Sequence, residues 1–284
     1  MALASLFAAV LAIGWAIGAA GGSSDQSGSG ANASVASGAA AAKPAAASSP
    51  PTTAPLAVNP QRITPLVPGA AKVVTEAVPV GRKIALTFDD GTCAECVKRI
   101  IDVLEQTGTH ATLFPNGVYA ASWEPQVSRI KTMVASGQVT LGNHTFSHHA
   151  STQIGAEAFG QDLQRNEDWI QKTFGITARP WFRPPYGDYN SGTVEKAGEL
   201  GYTNVVMLSG TLADTSPHPK AYLLNAIKYW ARPGRIILMH GNLSPTANNL
   251  PAILALVKRM NLTPVTIAEL AKDGTREHSS STGY

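Results

Sequence analysis

The sequence predicts an α/β protein, a distorted and incomplete (β/α) barrel of about seven parallel strands with outer helices. After Val80, short β-branched or apolar runs alternate with longer segments of helical period, the pattern of parallel strands joined by helical crossovers. Seven such runs fall between residues 83 and 267, too many for a small two-layer fold and nearly enough to close a barrel. A doubly wound open sheet fits the same periodicity, because alternation alone does not show closure.

The strand candidates, in chain order, are Lys83 to Phe88, Ala111 to Phe114, Val139 to Gly142, Trp181 to Arg183, Tyr202 to Met207, Ile236 to Met239 and Thr263 to Ile267. Each is a short run rich in Val, Ile, Phe, Leu or Thr. Between them the helical period runs through Cys96 to Gln106, Pro125 to Ser136, Glu157 to Phe174, Ser191 to Leu200, Lys220 to Ala231 and Asn249 to Met260. The folded domain is therefore expected over residues 80–272, with a loose polar tail over residues 273–284.

What precedes the domain has a different composition. Ala2 to Gly22 carries no charged side chain and includes Leu3, Leu6, Phe7, Val10, Leu11, Ile13, Trp15 and Ile17, apolar enough to enter a bilayer. Residues 1–22 read as a signal peptide or an N-terminal membrane anchor. Small residues near Ala19 and Ala20 favour cleavage, whereas the lack of a preceding Lys or Arg favours an uncleaved segment. Residues 23–60 are mostly Ala, Ser, Gly, Pro, Thr and Asn, with too few large apolar groups to offset the entropy of ordering, and are expected to be a disordered tether. A secreted or cell-surface location follows from this reading, with no membrane contact beyond that anchor.

A formal charge of +3 and the absence of any Lys or Arg run argue against a nucleic-acid partner. Cys93 and Cys96 are the chain's two cysteines. In an oxidising compartment their spacing permits a local disulfide, while free thiols or a redox pair fit the same spacing. A zinc ribbon would need a second such pair.

In parallel α/β folds the residues just past the strand ends converge on one face. Here Asp89-Asp90-Gly91 follows the first strand, Asn143 to His148 the third, and Arg183-Pro184-Pro185-Tyr186-Gly187 the fourth. Asp214 lies past the fifth, and the sixth ends at His240. His144 and His148 are four residues apart, and on one helical turn they would point the same way, suiting two ligands to one metal. Two surface histidines on a loop would read identically. Adjacent carboxylates in one mouth repel unless a cation sits between them, although an Asp capping the following helix also explains Asp89-Asp90-Gly91. Arg183 precedes two prolines that stiffen its segment, so its guanidinium can hold a carboxylate in one orientation. A plain salt bridge at the barrel mouth is the alternative.

With these residues placed, the chain resembles the polysaccharide deacetylases of carbohydrate esterase family 4. The likeness rests on Thr87-Phe88-Asp89-Asp90-Gly91, His144-Thr145-Phe146-Ser147-His148, Arg183-Pro184-Pro185-Tyr186-Gly187 and Leu238-Met239-His240, in that order, and on Ala111 to Gly117. It covers about Lys83 to Leu270. The resemblance implies that Asp90, His144 and His148 bind a divalent metal, Zn2+ first, with Co2+, Ni2+ or iron also suited to two His and one Asp. It implies Asp89 as general base, Arg183 as the group orienting it, the Tyr186 backbone N–H as oxyanion donor and His240 as general acid. Asp214 is the candidate to hold His240 protonated. Here the chain departs from the family, carrying Thr215 after that Asp where Trp is usual, and Leu208 upstream where an aromatic is usual. The implied substrate is an N-acetylglucosamine-containing glycan such as peptidoglycan or chitin, and a monomer is expected. An O-acetyl esterase acting on xylan and a non-catalytic sugar-binding relative are the competing readings.

Overall fold

The computed structural model describes residues 61–277. The expected export segment and tether, residues 1–22 and 23–60, lie outside the described residues, as does the end of the tail from 278. Among the described residues no helix is long and apolar enough to cross a membrane.

In chain order the elements are β1 (Lys72–Ala77), β2 (Lys83–Asp90), α1 (Ala94–Thr107), β3 (Ala111–Pro115), α2 (Ala120–Trp123), α3 (Val127–Ala135), β4 (Val139–Leu141), α4 (Ala156–Phe174) and β5 (Trp181–Phe182). They continue with α5 (Ser191–Glu199), β6 (Asn204–Val206), β7 (Gly210–Thr211), α6 (Lys220–Trp230), β8 (Ile236–His240), α7 (Ser244–Arg259), β9 (Thr263–Val265), α8 (Ile267–Leu270) and β10 (Thr275–Glu277). All seven strand candidates are strands.

The strands form two sheets. One runs β4-β3-β2-β8-β7, all parallel, with β9 paired to the start of β2. The other runs β10-β1-β6-β5, parallel except for β10. A single bridge between Asn143 and Phe182 links β4 to β5. The barrel is therefore distorted and incomplete rather than a closed ring.

Strand β2 shows why the pattern gives this architecture. Ile84, Leu86 and Phe88 join the cluster that holds the α1 residues Val97, Ile100, Ile101 and Leu104. Ala85 joins a second cluster with Phe114, Trp181, Val206 and Ile236, drawn from four other strands, as inward faces of a barrel must. A strand buried on both sides reads as one apolar run, and each fully buried Leu, Ile or Phe contributes about 1.5–3 kcal/mol. Helix α1 follows because Val97, Ile100, Ile101 and Leu104 repeat at helical spacing, and Gly108 ends it in the left-handed region at φ 63°.

The expected boundaries shift at both ends of the domain. Upstream of residue 80 the chain is already part of the packed domain: a buried Gln61 side chain bridges the seam beside β4. Its Nε2 donates to Leu141 O (2.6 Å) and Thr177 O (2.9 Å), and its Oε1 accepts from Leu141 N (2.8 Å). That carboxamide satisfies the strand-edge groups that no neighbouring strand reaches. The β-branched run Val73-Val74-Thr75 adds β1. Residues 275–277, expected to be loose, pair antiparallel with β1, and Arg276 Nη1 reaches Glu76 at 2.8 Å. Helix α7 starts at Ser244 rather than Asn249, with Pro245 in its first turn, where a missing N–H costs nothing, and Pro251 inside it.

Candidate active site

Asp89 and Asp90 end β2, where successive side chains should face opposite ways. Asp90 breaks that alternation with a left-handed φ of 68°, and both carboxylates then approach one imidazole. His144 Nε2 is 3.3 Å from Asp90 Oδ1 and 3.7 Å from Asp89 Oδ2. Trp123 Nε1 donates to Asp90 O at 2.7 Å, fixing the turned backbone. Gly91 follows at φ 110°, and a Cβ there would lie 2.3 Å from Trp123 Nε1, so this position requires glycine.

The histidines lie on an irregular loop, not on the helical turn their spacing suggested. Thr145 and His148 are both left-handed, at φ 62° and 57°, and polar side chains hold the loop from beneath. Asn143 Oδ1 accepts from Thr145 N (2.9 Å) and from Asn166 Nδ2 (2.9 Å), while Asn143 Nδ2 donates to Tyr202 Oη (2.7 Å). Tyr202 in turn donates to the fully buried Glu167 at 2.6 Å, and Glu167 pairs with Arg179 at 3.0 Å. Asn116 Nδ2 donates to Thr145 O at 2.8 Å. His144 Nδ1 donates to Arg183 O at 2.7 Å, which leaves Nε2 as the free ligand atom.

Asp90, His144 and His148 bring one ligand atom each to within 4.8 Å of one another. Asp90 Oδ1 sits 3.0 Å from His148 Nε2, yet it is buried and makes no hydrogen bond of acceptable geometry. An orphaned carboxylate oxygen facing two imidazole nitrogens fits a divalent cation of the zinc class. Burial alone would raise the Asp90 carboxyl, but the two imidazoles outweigh it and hold it well below the usual carboxylate range. Burial likewise pushes the His144 imidazole down, and Asp89 with Asp90 more than reverse this.

Arg183 is buried, and each of its three side-chain nitrogens donates. Nη1 donates to Asp89 Oδ1 (2.8 Å) and Thr87 Oγ1 (2.7 Å), Nε to Val206 O (3.0 Å) and Nη2 to Met207 O (3.1 Å). The guanidinium also lies 4.4 Å from the Phe114 ring centroid. Past the prolines, Tyr186 is left-handed at φ 59° and 74% exposed, and its ring meets His148 edge-on at 4.6 Å.

Across the mouth, β8 ends at His240, and in the parallel register Asp89 stands opposite His240. Asp214, just beyond β7, is buried. Its Oδ1 lies 2.7 Å from His240 Nδ1, while its Oδ2 accepts from His240 N (3.0 Å) and Thr246 Oγ1 (2.6 Å). Burial works against the charged imidazole, but the Asp214 carboxylate outweighs it and raises His240 to about 9. Cys93 and Cys96 form a disulfide at the start of α1, just beyond Asp90.

All eight sequence-derived site residues thus meet at one mouth. Trp123, Tyr202, Glu167, Thr246 and Asn242 escaped the sequence reading. Asn242, two residues past His240 at a strand end already singled out, was the one with a positional signal.

Fold and site together define a distorted, incomplete (β/α) barrel with a carboxylate-imidazole cluster suited to a divalent metal at its mouth. Residues 77–205 match the polysaccharide deacetylase family model. A chitooligosaccharide deacetylase of Rhizobium leguminosarum bv. phaseoli is 30% identical over 162 residues, covering 56% of this chain and 68% of the relative. The chain belongs to the polysaccharide deacetylase family. A peptidoglycan N-acetylglucosamine deacetylase crystallised with a hydroxamate is 25% identical, with a TM-score of 0.65 over 73% of this chain and 96% of that one. A family 4 pseudoenzyme from Bacillus anthracis, 22% identical with a TM-score of 0.63 over 73% of this chain and 70% of that one, shares the fold.

Proposed function

We propose that this chain is a metal-dependent hydrolase that removes acetyl groups from N-acetylglucosamine units of a surface glycan, peptidoglycan or a chitin-like polymer. The observation that carries this reading is the placing of two opposed proton-transfer groups beside the metal cluster: Asp89, pinned by Arg183 at 2.8 Å, and His240, held by Asp214 at 2.7 Å. Asp90, His144 and His148 would hold the metal, with zinc the first choice and cobalt or nickel also suited to these ligands. When bound, the metal supplies Lewis acidity that makes water acidic and a carbonyl electrophilic.

Asp89 accepts a proton from the attacking water, and Arg183 holds that carboxylate aimed. The new carbon–oxygen bond forms as the acetyl carbonyl takes up charge, with the Tyr186 backbone N–H as donor to that oxygen. His240, protonated through its contact with Asp214, gives its proton to the departing nitrogen as the carbon–nitrogen bond breaks. Acetate and a free amine result. Export through residues 1–22 and presentation on the 23–60 tether belong to the same proposal, as does action as a monomer.

Acetate release from chito-oligomers, peptidoglycan and acetyl-xylan, measured with and without a chelator beside Asp89→Asn, tests it. Release from the N-acetylated substrates that chelation and Asp89→Asn both abolish is expected. Release from acetyl-xylan alone would make the protein an O-acetyl esterase, and no release from any substrate would make it a sugar-binding relative.

A further inference from the structure

Asn242 lies on the turn after β8, yet its side chain reaches back across the mouth to the end of β2. Nδ2 donates to Asp90 Oδ2 at 2.6 Å. Oδ1 accepts from the backbone N–H groups of Gly91 (3.1 Å) and Thr92 (3.0 Å). The two strand ends are close enough for this because Gly241 leaves room: its N donates to Asp89 O at 2.9 Å, and a Cβ there would lie 3.3 Å from Gly91 Cα.

The two oxygens of Asp90 are therefore inequivalent. Oδ2 is occupied by an amide donor, whereas Oδ1 is buried, makes no hydrogen bond and faces His144 and His148. We propose that Asn242 is a positioning residue for the metal carboxylate, committing Asp90 to bind through Oδ1 alone and locking its plane. The proposal rests on the metal-site reading above. Partners of this kind, which orient a metal ligand without touching the ion, typically carry 10–100-fold in metal affinity. Its second oxygen also ties the Asp90-Gly91-Thr92 turn to β8, so a purely structural role as a loop clamp must be separated from the positioning role.

Two substitutions separate them in the full chain. Asn242→Asp keeps the acceptor for Gly91 and Thr92 but removes the donor to Asp90, and Asn242→Ala removes both. The affinity for Zn2+ is measured by competition with a chromophoric chelator, and the melting temperature is measured on the metal-stripped protein. Positioning predicts that both variants bind Zn2+ roughly 10–100-fold more weakly, with only Asn242→Ala losing melting temperature. Unchanged or tighter Zn2+ binding in Asn242→Asp, with melting lost in Asn242→Ala, would reduce Asn242 to a loop clamp and overturn the proposal. Asp90→Ala is the control. If it binds Zn2+ as the parent does, the metal-site reading itself fails, whereas if it binds none while Asn242→Asp binds normally, only the role of Asn242 fails.

Discussion

His240 Nδ1 and Asp214 Oδ1 lie 2.7 Å apart, and the second oxygen of the same carboxylate accepts from the His240 backbone N–H and from Thr246 Oγ1. One buried carboxylate thus fixes the ring, the strand end that carries it and the start of α7. The substitutions flanking Asp214, Thr215 and Leu208, leave this contact intact.

The pH profile should follow from that contact. A general acid works only while protonated, so activity is present below the His240 value and falls as pH rises through it. Asp214 raises that value to about 9, and a divalent ion nearby would offset part of the field, placing the alkaline limb of the loaded enzyme lower. Asp214→Asn should move the limb further toward neutral pH and lower kcat by roughly 10²–10⁴-fold. Rate-pH profiles of parent and variant check this, and coincident limbs would remove Asp214 from the role.

Arg183 and Asp89 form a fully buried pair at 2.8 Å. Arg183→Met leaves the Asp89 charge uncompensated and should cost about 3–5 kcal/mol of stability. Arg183→Lys keeps the charge but loses the fork that also reaches Val206 and Met207, and should lower kcat more than it raises KM. Denaturant unfolding and steady-state kinetics read the two effects separately.

Tyr202 joins Glu167 to Asn143 beneath the histidine loop. Tyr202→Phe removes one donor from the Glu167 carboxylate, which keeps Thr177, Ala178 N and Arg179, and one acceptor from the Asn143 amide, which keeps Leu163 O, and should cost about 1–3 kcal/mol. With the Asn143 side chain held from below only by Leu163 O and Asn166 once the phenol is gone, a looser histidine loop should also weaken metal binding. A variant as stable as the parent by urea unfolding would contradict this.

Gln61 makes three side-chain hydrogen bonds in the seam beside β4. Gln61→Ala should destabilise the domain by roughly 2–4 kcal/mol, because Leu141 N–H and two carbonyls lose partners in a buried place. Limited proteolysis and urea unfolding measure it, and a neutral result would mean that water replaces the carboxamide.

Much of this was legible in the residues. Strand positions followed from apolar runs that only a doubly covered strand tolerates, and six site side chains followed from what stands just past those runs. Asp214 followed too, even though Thr215 and Leu208 break the family pattern around it. What could not be read was held by long-range side-chain hydrogen bonds. Gln61 acts from 80 residues before Leu141, Tyr202 from 59 after Asn143, and Asn242 from 152 after Asp90. None of them leaves a local periodicity. The histidine loop shows a related effect: i,i+4 spacing suits a helical turn and a loop alike, and Asn143, Asn116 and the left-handed Thr145 and His148 supply an irregular route to the same convergence.

Metal reconstitution bears most directly on the whole reading. Protein stripped with a chelator is titrated with Zn2+ while acetate release from a chito-oligomer is followed, beside His144→Ala. Activity that is absent after stripping, returns as one equivalent is added and never returns in His144→Ala is the predicted result. Full activity in the stripped protein, or recovery in His144→Ala equal to that of the parent, would contradict it.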